Sequence, residues 1–154
     1  MAALRHAAGP RLGPYELIER LGAGGMAEVY VARRTDSEMF QKRIAIKRIL
    51  PQLATDSRFV QMFCDEARVC AALSHPNLVK VVDFGEHDGQ LFMAMEYVEG
   101  VSCARLLRAV AARGGRFPVG AALYVAYEVL RALAFVHEAR KAEQESNDAD
   151  SEGS

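Results

Sequence analysis

Three groups of residues in the first half of the chain are of types that bind phosphate or carry a functional charge. The first group is a glycine-rich segment. Gly22-Ala23-Gly24-Gly25 lies between two alternating segments, residues 15–21 and 27–33, which predict two strands of a hairpin. The backbone N–H groups of such a turn can contact phosphate oxygens where side chains would obstruct them. The alternative is a turn that merely tolerates glycine. A dinucleotide-binding fingerprint is disfavoured, because it requires a helix after the glycines.

The second group is Lys47 with its neighbours in a predicted third strand, residues 40–50. A period of two places Lys47 and Ala45 on one face and Ile44 and Ile46 on the other. A small residue beside a cation leaves room for a flat ring next to an anion. An exposed strand lysine without a ligand is the alternative interpretation.

The third group is Glu66, in a helix predicted over residues 56–73. Glu66 falls on the apolar stripe of that helix, with Met62, Phe63 and Cys70. An unpaired carboxylate on such a stripe is costly, so we expect a partner. Lys47 is the natural candidate, since this helix has to pack on the sheet. The alternative is a boundary glutamate that reaches solvent.

The rest of the sequence predicts further elements and three regions. Residues 78–84 and 90–97 are predicted strands joined by a turn, and residues 102–112 and 119–141 are predicted helices. Residues 1–13 are expected to be a flexible leader and residues 14–142 to form one domain. Residues 143–154, which hold five acids and no Lys or Arg, are expected to be a disordered acidic tail.

Composition excludes several classes of protein. The 154 residues are 51% hydrophobic and 25% charged with a net charge of −1, as in soluble globular proteins. Without the tail the net charge is +4 (19 basic, 15 acidic residues), and no basic cluster points to nucleic acid. We find no signal-like start and no unbroken run of ~20 apolar residues. We therefore expect a cytoplasmic protein with no membrane segment.

The cysteines are three in number and show no paired spacing. Cys64, Cys70 and Cys103 lack a C-x-x-C arrangement, so neither a zinc site nor a disulfide framework is predicted. We expect reduced thiols that fill the core.

Five motifs, in order, resemble those of bacterial Ser/Thr protein kinases. They are Leu21-Gly-Ala-Gly-Gly-Met-Ala-Glu-Val-Tyr30 for the glycine-rich loop, Ile44-Ala-Ile-Lys47 for the V-A-I-K strand, Glu66 for the glutamate of helix C, His75-Pro-Asn-Leu-Val79 for the connection that follows, and Met95-Glu-Tyr-Val-Glu-Gly100 for the segment between the lobes. Ala27 replaces the last glycine of the family's loop. The resemblance implies an α+β fold. Its small lobe, residues 14–98, would be a five-stranded antiparallel sheet plus helix C. Residues 99–142 would then form the first two helices of the large lobe.

The resemblance also implies ATP as the ligand and a role for each matching residue. Lys47 would contact the α- and β-phosphates and form an ion pair with Glu66. Leu21, Val29 and Ala45 would enclose the adenine ring. Met95 occupies the gatekeeper position, and the backbone of Glu96 and Val98 would hydrogen-bond the adenine edge. The predicted ATP-binding residues are thus Leu21, Gly22, Ala23, Gly24, Gly25, Val29, Ala45, Lys47, Met95, Glu96 and Val98.

The later motifs of the family do not occur in these 154 residues. No H-R-D is present, and the one D-F-G, Asp83-Phe84-Gly85, precedes the segment between the lobes. In the family the metal-binding D-F-G follows the catalytic loop, so we interpret this tripeptide as structural. We predict no metal ligand, and Mg²⁺ would bind only if the missing segments completed the site.

Three functional hypotheses follow from the resemblance. The first is a truncated, pseudokinase-like regulator that binds ATP and does not transfer phosphate alone. The second is an active Ser/Thr kinase completed by a second chain. The third is a decayed gene product. Separately, an apolar stripe on the helix over residues 119–141 predicts a protein partner or self-association.

Overall fold

The computed structural model describes residues 9–36 and 42–152, except for the side chains of residue 143 and residues 145–152. The chain forms two compact units. The first combines the chain up to Ala72 with Val79–Tyr97, and the second combines Leu73–Leu78 with the residues from Val98 onward.

The first unit is an antiparallel sheet with one α-helix. Its strands are β1 (Arg11–Leu12), β2 (Tyr15–Ala23), β3 (Ala27–Arg34), β4 (Arg43–Ile49), β5 (Val81–His87) and β6 (Gln90–Glu96). They lie in the order β1-β2-β3-β4-β6-β5, and each neighbouring pair is antiparallel. The predicted fold class is confirmed, but the sheet has six strands and not five.

The extra strand, β1, corrects the prediction that residues 1–13 are a flexible leader. Leu12 is 2% exposed, and the Leu17 amide donates to the Pro10 carbonyl at 2.9 Å. Gly13, at φ 57°, adopts the left-handed conformation that glycine tolerates between β1 and β2. Burial and hydrogen bonds to β2 therefore fix residues 9–13, while residues 1–8 lie outside the described part of the chain.

Alternation along the strands places one apolar cluster on each face of the sheet. The first consists of Leu12, Tyr15, Leu17, Ala32, Ile46, Phe92 and Ala94. The second consists of Ala27, Ile49, Phe63, Ala67 and Met93. Phe63 and Ala67 come from helix α1 (Ser57–Ala72), so the helix covers the second face.

Helix α1 matches the predicted helix closely. The Asp56 carboxylate accepts from the Arg58 amide at 3.0 Å, as an N-cap residue does. Met62 is 54% exposed, so its predicted place on the buried stripe is wrong. The buried stripe follows Phe63 and Ala67 instead.

The cysteines only partly match the core positions expected for them. Cys64 and Cys70 are half-buried and Cys103 is exposed, all as free thiols. The prediction that all three fill the core is therefore wrong for Cys103, which begins a helix with no buried residue.

The second unit contains two helices and the short connection that follows α1. Helix α2 (Cys103–Ala112) is capped by Ser102, whose hydroxyl accepts from the Arg105 amide. In the connection, the Asn77 side-chain amide donates to the backbone carbonyl of Glu128 at 3.0 Å and to its carboxylate. The His75 ring lies 5.3 Å from the Phe135 ring. These contacts attach residues 73–78 to the helix that carries Glu128.

That helix, α3 (Val119–Glu152), is longer than predicted. The prediction of a disordered tail is wrong for residues 143–152, and residues 153–154 lie outside the described part. The physical reason is that Ala142, Glu143, Gln144 and Glu145 are good helix formers. No Pro or Gly interrupts the sequence between them and Gly153.

Helix α3 also corrects the argument against a membrane segment. Val119–Ala142 reaches a mean hydropathy of 1.6 over a window long enough to cross a bilayer, and 6% of that window is buried. The absence of an unbroken apolar run therefore does not exclude a segment that is apolar and long enough to cross a membrane. Core helices of soluble proteins pass the same test, so length and composition alone do not assign α3 to a membrane.

Candidate functional site

One face of the sheet brings four of the predicted ATP-binding residues together. Val29 on β3 pairs with Lys47 on β4, and Ala45, also on β4, pairs with Met95 on β6. Directly paired residues of antiparallel strands project to the same side. This is also the side of α1, because Met95 packs against the cluster that contains Phe63.

Lys47 and Glu66 form an ion pair on this face. The Lys47 ammonium donates to both carboxylate oxygens of Glu66, and the two side chains are 19% and 35% exposed. The ammonium also lies 5.9 Å from the centre of the Phe63 ring. The pair joins β4 to α1, which places a fixed cation on the face beside Val29.

Cys70 lies one turn further along α1, where the charges of the same ion pair affect the pKa of its thiol. Burial raises the pKa of its thiol, and the negative charge of Glu66 raises it further, against a smaller opposing effect of Lys47. A thiol in this state is a poor nucleophile at neutral pH. We therefore do not expect the half-buried Cys70 to act as a nucleophile on this face.

The glycine-rich turn connects β2 to β3 close to Lys47. Gly22 of the turn pairs with Val29, and Val29 pairs with Lys47. The Gly24 amide donates to the Ala27 carbonyl at 2.7 Å and closes the turn. A Cβ atom added at Gly22 or Gly25 would meet no atom within 4 Å. Among the described residues the glycines with positive φ are Gly13, Gly89, Gly100 and Gly114. Neither the packing of the described residues nor the backbone conformation therefore requires glycine at 22, 24 or 25.

A polar cluster behind the turn was missed by the sequence analysis. The Glu28 side chain is 8% exposed and accepts from the Arg48 Nε at 2.7 Å. Arg48 also donates to the Tyr30 hydroxyl and to the side-chain amide oxygen of Gln90, both at 3.3 Å. Glu28 precedes Val29 in the same strand, so the sequence indicates only that its side chain lies on the face opposite that of Val29. The pairing with Arg48, 20 residues away, depends on a register that the sequence does not specify.

The electrostatics of Glu28 follow from those contacts. Burial by itself raises the pKa of the carboxyl. Hydrogen bonds from Arg48 and Tyr30 and the charges of Arg48 and Arg20 outweigh it, so the pKa lies below its usual value. The carboxylate is charged at neutral pH, and the Arg20 guanidinium lies 3.8 Å from it on the solvent side.

Asp83-Phe84-Gly85 lies in β5, and each of its residues lies against a residue of another element. The Tyr15 hydroxyl donates to the Asp83 carboxylate at 2.6 Å, on the face opposite Lys47. The Phe84 ring lies 6.1 Å from Phe63, and a Cβ at Gly85 would lie 3.1 Å from the Phe92 ring. The packing of β5 thus accounts for the tripeptide without a metal.

Leu21 and Glu96 lie at the borders of the face. Leu21 is 49% exposed, at a register shift in β2. The Glu96 amide already donates to the Lys80 carbonyl at 2.9 Å, so a ligand contact at Glu96 has to use its carbonyl. Val98 is 66% exposed and belongs to the second unit.

Among the side chains that the structure describes, no three from His, Cys, Asp or Glu are placed together to hold a metal ion.

Comparison with known proteins agrees with this arrangement. The sequence profile of the family described as "Protein kinase domain" matches residues 15–141. The chain belongs to the protein kinase family. It is 38% identical over 126 residues to Tyrosine-protein kinase MasK of Myxococcus xanthus, covering 82% of this chain and 20% of that protein. It is 37% identical over 131 residues to Serine/threonine-protein kinase PknJ of Mycobacterium tuberculosis, covering 85% of this chain and 21% of that protein.

Solved structures give the same result. The PknI kinase domain of Mycobacterium tuberculosis superimposes with a TM-score of 0.65 at 34% identity, over 86% of this chain and 52% of that structure. This kinase-family chain thus spans about a fifth of these curated relatives and about half of the solved kinase domain.

Proposed function

We propose that this chain binds ATP, with the glycine-rich turn over the phosphates and Lys47 beside them. The observation that carries the proposal is the set of glycines at 22, 24 and 25, which the chain's own packing does not require. Residues without side chains are needed where a ligand approaches the backbone closely. The Lys47–Glu66 pair supplies a fixed cation near that backbone, as phosphate binding requires.

The remaining contacts extend the proposal to the base. Val29 and Ala45 offer small and apolar surfaces on the same face as Lys47, and Met95, paired with Ala45, would act as the gatekeeper beside them. The Glu96 carbonyl would bind the adenine edge. Cytoplasmic location stays a prediction.

The glycines provide a test that separates binding from folding. Gly22→Val should leave the melting temperature unchanged, since its surroundings are open, and should weaken ATP binding in calorimetry by at least about tenfold, as loss of charge-assisted contacts to phosphate does. Gly85→Ala is the control, because its new methyl group would press on Phe92 and should lower the melting temperature. Normal ATP binding by Gly22→Val, or no binding by the wild-type chain, would contradict the proposal.

We further propose that these 154 residues act as a regulator and do not transfer phosphate alone. Phosphoryl transfer requires metal ligands and an aspartate that accepts the substrate proton, and Asp83 is held by Tyr15. In a radiolabelled-ATP assay with Mg²⁺ we expect rates below about 10⁻³ of the ~1–100 s⁻¹ of ordinary kinases. Labelling that both Lys47→Met and Asp83→Asn abolish would overturn this proposal.

A second candidate function is favoured by the exposed apolar face of α3. Leu123, Leu130 and Leu133 are 65%, 63% and 48% exposed, and faces of this kind mark interaction sites. A polypeptide that carried the H-R-D and D-F-G motifs and packed on this face would make an active kinase, with ATP and Mg²⁺ as cofactors. Co-purification of such a polypeptide, with kinase activity only in the complex, would favour this candidate over the regulator.

A further inference from the structure

The glycine-rich turn has few contacts of its own to hold it in place. Residues 21–25 are all exposed, and the register shift between Arg20 and Gly22 interrupts the pairing of β2 just before them. On one face, Met26 packs against the cluster that contains Phe63. A turn that binds phosphate through its backbone has to keep that backbone in position, so the contact that holds the other face matters.

Glu28 occupies that position. In the register of the sheet it pairs with Ala23 across the turn and with Arg48 on the next strand. Its carboxylate accepts from Arg48 at 2.7 Å and lies 3.8 Å from Arg20. One side chain therefore connects all three strands at the base of the turn.

Arg48 is itself held from two further sides, which makes the connection rigid. It donates to Gln90 on β6 and to Tyr30 on β3, and its guanidinium lies 5.0 Å from the centre of the Tyr30 ring. A guanidinium with its donors and its flat face both in use has little freedom to move. Any displacement of β2 and β3 at the turn would break these contacts.

We propose that Glu28 is a positioning residue for nucleotide binding. Through Arg48 and Arg20 it fixes the glycine-rich turn from the face opposite Lys47. The inference rests on the proposed binding of ATP by that turn. It adds a residue that touches no phosphate and controls how well the turn is ordered before the ligand arrives, which lowers the entropic cost of binding.

The same hairpin contains a matched control at its other end. Glu16 accepts from the Arg33 Nε at 2.6 Å with its side chain 10% exposed, which closely resembles the Glu28–Arg48 contact. Glu16 and Arg33 are paired residues of β2 and β3 far from the turn. Loss of this pair should weaken the hairpin without affecting the glycine-rich turn.

The experiment measures amide hydrogen exchange in the free chain and binding of the fluorescent nucleotide N-methylanthraniloyl-ADP. For Glu28→Gln we expect exchange of the Gly24 amide to accelerate by about tenfold and binding to weaken by a similar factor, as loss of a charge-assisted hydrogen bond predicts. Glu16→Gln should change neither quantity. Arg20→Gln, which removes an exposed partner, should accelerate exchange by about twofold.

Each outcome decides one point. Unchanged exchange at Gly24 in Glu28→Gln, or equal acceleration in Glu16→Gln, would overturn the role of Glu28. Failure of the wild-type chain to bind the nucleotide would contradict the proposed function, and the exchange measurement would still decide whether Glu28 orders the turn. If Glu28→Gln does not fold, as circular dichroism would show, the graded effect of Arg20→Gln decides in its place. No acceleration in that variant would overturn the proposal.

Discussion

The two units differ in how much of their apolar surface they bury. Among the described residues, every buried hydrophobic side chain but that of Ala132 lies in the first unit. In the second unit Leu123, Tyr127 and Leu130 are each at least 60% exposed. The first unit thus has a core of its own around the candidate nucleotide site, whereas the second presents an apolar helix face for another surface to cover.

The largest expected effect comes from removing a core side chain of the first unit. Phe63 is fully buried where α1 meets the sheet, and Phe63→Ala should cost about 3–5 kcal/mol of the free energy of unfolding. Leu130→Ala in α3 should change it by less than about 0.5 kcal/mol, as exposed substitutions do. Urea denaturation of both variants measures the difference. Similar losses would mean that α3 is buried in solution.

A smaller effect on the first unit is expected at high pH. Burial, followed by the hydrogen bond to Asp83, raises the pKa of Tyr15 to about 12. Since the folded state holds the proton of Tyr15 more tightly than the unfolded state, the contribution of Tyr15 to stability is constant below about pH 10. It falls by about 2–3 kcal/mol as the pH rises from 10 to 12.

Tyr15→Phe is the control for that titration. It removes the hydroxyl, so its stability should be independent of pH through that window apart from the changes that all other groups contribute. Denaturation curves at pH 9, 10, 11 and 12 compare the two proteins. Parallel curves would contradict a structural role for the Tyr15–Asp83 contact.

The Lys47–Glu66 pair should have a still smaller effect on stability and a specific effect on binding. Because Glu66 is about one-third exposed, Lys47→Met should cost about 1–2 kcal/mol, less than breaking a fully buried pair. ATP binding should weaken by at least about tenfold, since a charge-assisted contact to phosphate is lost.

Another ion pair of the same helix provides the matched control. Asp65→Asn breaks the exposed contact of Asp65 with Arg68 and should change neither stability nor binding. Thermal melts and calorimetry with ATP measure both quantities. Binding that is equal in Lys47→Met and the wild-type chain would exclude Lys47 from the phosphate site.

The last prediction concerns association and leaves the stability of the first unit nearly unchanged. If the exposed face of α3 mediates self-association, Leu130→Glu should convert oligomers to monomers by placing a charge in the interface. Light scattering at high and low protein concentration measures the mass. A wild-type chain that is monomeric at all concentrations would contradict self-association.

Local sequence patterns predicted most elements and the central ion pair. Alternation in residues 15–33 gave the hairpin, and the position of Glu66 on an apolar helix stripe correctly indicated a partner for its carboxylate. The glycines at the turn and the small Ala45 beside Lys47 indicated which face of the sheet carries the candidate site. These signals are local, since each depends on spacing within one element.

Most of the features that sequence reasoning missed depend on contacts between residues that are distant in the sequence, or belong to elements too short to show a periodic pattern. Strand β1 has two residues, too few to show a period, and only its hydrogen bonds to β2 define it. The Glu28–Arg48 contact requires the register between β3 and β4. For residues 143–152 the acidic composition suggested disorder, while the helix propensity of the same residues favoured the extension of α3.

The connection Leu73–Leu78 has a consequence for any attempt to study the nucleotide-binding half alone. It follows the helix that carries Glu66 and precedes β5, yet Asn77 is anchored on Glu128 of α3. A shortened protein that ends at Tyr97 would keep every strand and lose that anchor. Two elements of the sheet unit would then be joined by a hexapeptide without its hydrogen bonds to Glu128, while Phe63, Ala67 and the Lys47–Glu66 pair would still hold α1 on the sheet.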